Sequence, residues 1–487
     1  MIFSKVKQLE AAMDNAESYE EWKAAAIAHD KASGLHKWQT EDKSRHFDYA
    51  SIRRRLERLR KLQEEKDYAG ILFALNEGVH GNIDGMGRAR LYNKTRFGTK
   101  QLIVEYTQEV ASALELLASD EARDVSRDEL LDFFERAEHC YGASALMMSG
   151  AGSLLFFHVG VLKALWQEDL LPEILSGSSG GAIVGTLAST HVDEDLDDVF
   201  SPDQLAQEIE RDEGLLRYLS VLKPEVAKVE DIHAALERLV PDLTFLEAYE
   251  KTGRHLNVSI AAAEKHQTSR LMNAITTPNV FIREAVMASA AVPGFFPPVA
   301  LAAKNSDGER QAYMPSRKWV DGSISDDLPA KRLARLYGAN HFIVSQVNPH
   351  IFPFVSETAE DPGSVAPLTR AVRRSVREWI NAGAIVLQKP LAWNSRINRL
   401  SSVALGIINQ DYVGDINILP KRQLFNPLKL LGHRSIEEIE ELIDMGERAT
   451  WPKIEMIRTQ TRIGRVLRRI MREVVHQDPV EAERRAS

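Results

Sequence analysis

The segment Ile174-Leu-Ser-Gly-Ser-Ser-Gly-Gly-Ala-Ile-Val-Gly constrains this chain more tightly than any other stretch. A short apolar run leads into Gly177, Ser179 and Gly181, spaced Gly-x-Ser-x-Gly, and continues into an apolar helical pattern. A serine held on a sharp strand-to-helix turn needs neighbours without side chains, because Cβ atoms there would strike the strand or the helix. Such a turn exposes the serine Oγ and sets it at a helix N-terminus, whose dipole favours the negative charge that forms during acyl transfer. Glycine and serine are common, so a plain strand-to-helix turn has the same composition. The surrounding residues must decide between the two.

Upstream, Ser149-Gly-Ala-Gly-Ser also follows an expected strand and opens a helix. The backbone N–H groups of Gly150, Ala151 and Gly152 form a candidate oxyanion hole there. A dinucleotide-binding loop begins the same way, but Leu155 stands where its third glycine belongs, and bulky Phe156 and Phe157 follow. No Gly-x-x-x-x-Gly-Lys-Ser/Thr loop is present. Downstream, Lys318-Trp-Val-Asp-Gly-Ser-Ile places Asp321 at the end of a short apolar strand, a candidate general base for Ser179. An aspartate before glycine is also a frequent turn former, so its candidacy depends on the serine. His341, His350 and His433 follow Asp321 and could complete a Ser-His-Asp triad; a surface or structural place is the simpler reading of each. His158, inside an expected helix, reads as a supporting residue.

From 142 to 420 short apolar strands alternate with helical patterns, which predicts an α/β core around a mostly parallel sheet. Strands are expected over 144–148, 174–176, 256–262, 319–321 and 341–347, and helices over 154–167, 181–189, 282–290 and 328–336. Residues 1–141 read as a helical domain and 421–487 as a C-terminal helical segment. In the first, Ile52, Leu56, Leu59 and Leu62 line one face opposite Arg53, Arg54, Arg55, Arg58, Arg60 and Lys61, a face expected to stay solvated. Its glycine-punctuated loop after His80 carries Asn82 and Asp84 but lacks the further ligands and closing glutamate of a calcium loop. In the C-terminal segment, Ile463, Leu467, Ile470 and Val474 face away from Arg462, Arg465, Arg469 and Arg472. Such a basic amphipathic helix can dock on its own protein or lie on an acidic membrane surface, as can the basic segment from Arg370 to Ile380.

Composition narrows the class. With 487 residues, 44% hydrophobic and 27% charged, the chain can bury a large core. A net charge of -9 makes nucleic acid an unsuitable partner. The single cysteine, Cys140, allows neither an intramolecular disulfide nor a zinc cage, and Met1 to Glu10 lacks a signal-peptide core. The weakly charged span from Ala143 to Trp166 is broken by Gly150, Gly152 and Gly160, so no transmembrane helix is expected. These features predict a cytoplasmic protein that needs no metal or cofactor.

Gly150-Ala-Gly with His158-Val-Gly-Val-Leu-Lys-Ala-Leu, the elbow from Gly177 to Gly181, and Asp321-Gly resemble patatin-like phospholipases, over Ala143 to about Pro420. The preceding Gly87-Arg-Ala-Arg-Leu-Tyr and Phe97-Gly-Thr-Lys resemble the helical domain before the patatin core in fungal triacylglycerol lipases and plant oil-body lipases. The resemblance implies a three-layer α/β/α core and a Ser-Asp dyad of Ser179 and Asp321 without a catalytic histidine. It also implies an oxyanion hole at Gly150, Ala151 and Gly152, a lipid carboxylic ester as substrate, and contact with a lipid surface. Ala151 and the apolar Leu154 to Phe157 depart from the commoner patatin loop of three glycines and a basic residue. With Phe295, Phe296, Pro297 and Pro298, these apolar residues are candidate acyl-chain walls or simply core. A carboxylate of ordinary pKa, about 3.9, is a weak base, so Asp321 is expected to be partly buried, where its charged form is disfavoured. The expected activity is serine acyl hydrolysis; an acyltransferase and a non-catalytic membrane scaffold are the alternatives.

Overall fold

A computed structural model describes residues 2–79, 81–122, 124–205, 236–264, 269–291, 296–322, 327–347, 414–420 and 436–477. The packing divides the chain into two units, Met1–Ser144 with Trp451–Ser487, and Ala145–Thr450. The first unit opens with helices α1 (Ile2–Asn15), α2 (Tyr19–Ser33), α3 (Leu35–Thr40), α4 (Tyr49–Glu64), α5 (Tyr68–Asn76), α6 (Gln101–Ala118) and α7 (Arg127–Tyr141). Four of them start where a short oxygen-bearing side chain caps the first turn: Ser18 accepts from Glu21 N–H, Asp48 from Ser51, Asp67 from Gly70 and Ser126 from Glu129. Ile52, Leu56 and Leu59 of α4 are buried. The arginines opposite are paired within the unit, Arg53 with Asp42, Arg58 with Glu77, and Arg60 with Glu105 and Glu109. That face is therefore neutralised by its own neighbours. In the glycine-punctuated loop, Asn82 Oδ1 accepts the Gly87 N–H and closes the turn, while the Asp84 carboxylate lies 3.7 Å from Arg55 of α4.

Among the described residues, the second unit is built on a seven-stranded sheet. Its elements are β1 (Ala143–Met148), α8 (Leu155–Gln167), β2 (Ile174–Gly177), α9 (Gly180–Thr190), α10 (Leu196–Val199), α11 (Phe245–Thr252), β3 (His255–Ala262), β4 (Arg270–Met272) and α12 (Ile282–Ala290). They continue with β5 (Leu301–Lys304), β6 (Arg310–Tyr313), β7 (Trp319–Asp321), α13 (Ala330–Tyr337), β8 (Ala339–Ser345), β9 (Ile416–Ile418) and α14 (Ile436–Thr450). The strand order is β4-β3-β2-β1-β8-β9, with β7 also on β3, while β5 and β6 form a separate hairpin. β1, β2 and β3 are parallel, as are β8 and β9; β4 and β7 run antiparallel to β3. Every residue of β1 and β2 is buried, as strands covered on both faces must be. Right-handed crossovers put α8 and α9 on one face. The order reverses at β1, where β8 takes the other edge; α13 packs on β8 and α14 packs on α8. A reversal of this kind opens a crevice at the carboxyl ends of the strands.

Two glycines let α14 and α8 touch backbone to backbone. A Cβ on Gly160 would lie 1.9 Å from the Ile443 carbonyl oxygen, and one on Gly446 would lie 2.1 Å from that of Phe157. The last helix, α15 (Ile454–Gln477), packs on α6 and α7 in the first unit, burying Ile457, Ile463, Leu467 and Ile470. Its apolar stripe is thus covered by the protein itself. The packing division therefore falls at Thr450, inside the segment expected to run from 421 to 487, because α14 belongs to the sheet unit and α15 to the helical one. No helix among the described residues is long and apolar enough to cross a membrane. The basic segment from Arg370 to Ile380 lies outside the described residues.

Candidate active site

Ser179 sits between β2 and α9 with φ 50° and ψ -120°, a conformation that L-residues rarely adopt outside functional turns. The flanking glycines are sterically required. A Cβ on Gly177 would lie 2.3 Å from the Gly181 carbonyl, and one on Gly181 would lie 2.5 Å from the Met148 carbonyl oxygen. From Ile174 to Thr190, Ser179 alone is not buried. The turn thus presents one side chain and hides the rest.

The sheet register brings Asp321 to the same level. Gly177 pairs with Val258 of β3, so Ser179 follows two residues beyond that pair, while Asp321 pairs with Ile260, two residues beyond Val258. Ile260 also pairs with Arg270 of β4. A residue bridges one strand on each flank, so β7 must lie on the flank that β2 occupies lower down. β7 therefore enters the slot that β2 leaves when it turns into the elbow, and Asp321 ends in that slot. Its exposure is 3%, a deeper burial than the partial one expected. Gly322 permits the close approach, since a Cβ there would lie 2.5 Å from the Ser259 carbonyl.

The end of α12 ties the two residues together. Ser289 Oγ accepts the Ser179 N–H at 2.9 Å and donates to the Ser259 carbonyl at 2.8 Å, and the Ala291 carbonyl accepts the Asp321 N–H at 3.0 Å. The Gly150–Gly152 loop meets the elbow from the other side, because a Cβ on Gly180 would lie 3.0 Å from Ala151 Cβ and 3.3 Å from the Gly152 carbonyl oxygen. Gly150 differs from expectation. Its N–H donates to Asp327 Oδ1 at 2.9 Å, which leaves the amides of Ala151 and Gly152 without a partner among the described residues. Asp327, 1% exposed, also accepts the Ser178 hydroxyl through its main-chain carbonyl at 3.2 Å. Neither Ser289 nor Asp327 carries a sequence signature, since a serine in a small-residue helix and an aspartate before Leu-Pro are ordinary.

His158 is fully buried in α8, with Nε2 3.0 Å from the Ser149 carbonyl oxygen and Nδ1 2.6 Å from Ser345 Oγ. A carbonyl only accepts, so Nε2 carries the proton and Nδ1 accepts from the serine. Burial drives its pKa down to about 4, against a smaller opposing contribution from the Ser149 bond, and the ring is neutral. The Ser149 amide bonds the Ser345 carbonyl, which sets the end of β8 beside the end of β1. His341, four residues earlier on β8, therefore lies about 13 Å down the strand from the elbow's level. His350 and His433 fall outside the described residues. Leu154 to Phe157 are all buried, each below 9% exposure. Phe296 is half-buried and Pro297 and Pro298 are exposed, while Phe295 is outside the described residues.

A serine on a strained strand-to-helix turn, with a buried aspartate at its level and a loop of amides beside it, defines a candidate acyl-transfer centre on an α/β fold. Two family models match the chain, a patatin-like phospholipase domain over residues 146–334 and a domain of unknown function (DUF3336) over residues 2–139. Triacylglycerol lipase 4 of Saccharomyces cerevisiae is 34% identical over 91% of this chain and 50% of its own length. Patatin-like phospholipase domain-containing proteins of Aspergillus terreus and Aspergillus fumigatus are 33% and 32% identical, over 92% and 94% of this chain and 66% and 68% of theirs. The chain belongs to the patatin-like phospholipase family, with the DUF3336 region ahead of the core. It spans half to about two thirds of the length of these relatives.

Proposed function

We propose that this protein is a lipase or phospholipase that cleaves lipid carboxylic esters through an acyl-enzyme, with Ser179 as nucleophile and Asp321 as its base. Asp321 takes the Ser179 proton as Oγ attacks the ester carbonyl, then gives it to the departing alcohol oxygen. Water, deprotonated by the same carboxylate, attacks the acyl-enzyme, releasing the fatty acid and returning the proton to Oγ. Negative charge on the carbonyl oxygen is met by amides of the 150–152 loop and the N-terminus of α9. The observation that carries this reading is the register in which buried Asp321 is level with the one side chain of the elbow that is not buried.

The name of the yeast relative makes triacylglycerol the first substrate to test, with phospholipid beside it. Such a substrate is presented at a lipid surface, and the apolar face of α15, already covered, is not the part that meets it. A fluorophosphonate should add once, at Ser179, and hydrolysis of long-chain acylglycerols or phospholipids should vanish in Ser179→Ala. Full hydrolysis by a folded Ser179→Ala protein would discard the nucleophile and the mechanism with it.

A further inference from the structure

The loop beside the elbow is held by a set of buried groups that the Ser-Asp pair does not include. The peptide that joins Ser149 to Gly150 is gripped at both ends. Its oxygen accepts the His158 Nε2 proton at 3.0 Å, and its N–H donates to Asp327 Oδ1 at 2.9 Å. Both gripping residues are almost wholly buried, His158 at 0% and Asp327 at 1% exposure. The next peptide is held too. Ser149 Oγ accepts the Val347 N–H at 3.2 Å, so its own proton is available to the Gly150 carbonyl oxygen, 3.1 Å away. A trans peptide is planar and points its N–H opposite to its oxygen. Holding the Gly150 oxygen therefore aims the Ala151 N–H in the opposite direction, and Ala151 packs against Gly180, immediately after Ser179. Asp327 registers this loop to the elbow as well, because its main-chain carbonyl accepts from Ser178, the residue before the nucleophile.

We infer that Ser149, His158 and Asp327 are positioning residues that orient the loop so that the amides of Ala151 and Gly152, not that of Gly150, receive the oxyanion. The inference rests on the acyl-enzyme reading above and names the donors it needs. The Gly150 amide is excluded because Asp327 occupies it. His158 and Asp327 touch no reacting atom; they fix two successive peptide planes, and a preorganised donor contributes because it need not turn during the reaction.

The test uses the full chain and four variants, Ser149→Ala, His158→Phe, Asp327→Ala and Asp327→Asn. Two quantities are read on the folded fraction, counted by fluorophosphonate titration: the kcat and KM for an ester substrate, and the Ki of a trifluoromethyl ketone whose adduct places an oxyanion in the hole. Asp327→Ala should lower kcat by about 100-fold with KM unchanged, the scale expected when a donor is misaligned by about 1 Å. The ketone Ki should rise in step, a change that loss of folded protein alone does not produce. Asp327→Asn retains an acceptor oxygen for Gly150 and should recover most of the rate. If the two larger changes prevent folding, Ser149→Ala, which removes one hydroxyl, carries the test, with a smaller fall in kcat and a parallel rise in Ki. Folded variants with wild-type kcat and wild-type ketone Ki would overturn the inference. Retained hydrolysis in Ser179→Ala would instead sink the acyl-enzyme reading, a separate result.

Discussion

At the scale of residues, the site depends on atoms that are missing as much as on those present. Gly177 and Gly181 leave the space that keeps Ser179 at positive φ, and a methyl group at either meets main chain, not a flexible side-chain end. Gly181→Ala should therefore both destabilise the sheet unit, by roughly 1–3 kcal/mol or more as overpacking does, and abolish fluorophosphonate labelling; urea unfolding and labelling check the two. His158 sets a pH dependence. Its folded pKa is lowered to about 4 from an ordinary value near 6.5, so the unfolded chain takes up the proton first. Stability from the neutral ring is complete above about pH 6.5 and falls toward pH 4, by roughly 1.4 kcal/mol per unit within that window. Unfolding at pH 7 and pH 5 should show this loss in wild type and a shallower one in His158→Phe. Ser179, Asp321 and the elbow glycines could be nominated from the sequence because an apolar run, a Gly-x-Ser-x-Gly pattern and an aspartate closing another apolar run are all local. Ser289 and Asp327 could not, since they act through hydrogen bonds between elements far apart in the chain, which no local pattern encodes.

At the scale of elements, amphipathic patterns identified faces but not what covers them. For the arginine-rich helix α15 docking on its own protein was the commoner reading and a membrane surface the rarer one, and its apolar face packs on α6 and α7. Leu467 is fully buried in that packing. Leu467→Ala should cost about 2–5 kcal/mol in the unfolding of the helical unit, whereas a lipid-facing residue would cost almost nothing in water. Calorimetry or denaturant melts followed in that unit check it. Long elements such as α8, α9, α12 and β3 fell close to their expected bounds, because their burial repeats over many residues. The three-residue strands β4 and β9 and the hairpin of β5 and β6 were not foreseen; β6 is largely exposed and carries no alternation to read. The close crossing of α8 and α14 through Gly160 and Gly446 was equally silent, since a glycine within a helix does not announce which backbone approaches it.

At the scale of the whole molecule, the parallel order of β1, β2 and β3 and the helical region before it were readable from alternating strand and helix patterns, while the mixed character of the sheet was not. That missing part is the part that makes the site. β7 is antiparallel, three residues long, and takes the slot above β2, and this insertion sets Asp321 at the level of Ser179 in the sheet. Sequence could nominate both residues; only pairing through Ile260 puts them at one level. The central claim is that Asp321 activates Ser179, and the rate at which a fluorophosphonate labels Ser179 tests it most directly. Folded Asp321→Asn protein should label slower than wild type by several orders of magnitude, on the order of the 10⁴-fold loss seen when a serine loses its base system. Labelling of Asp321→Asn at the wild-type rate would contradict the account.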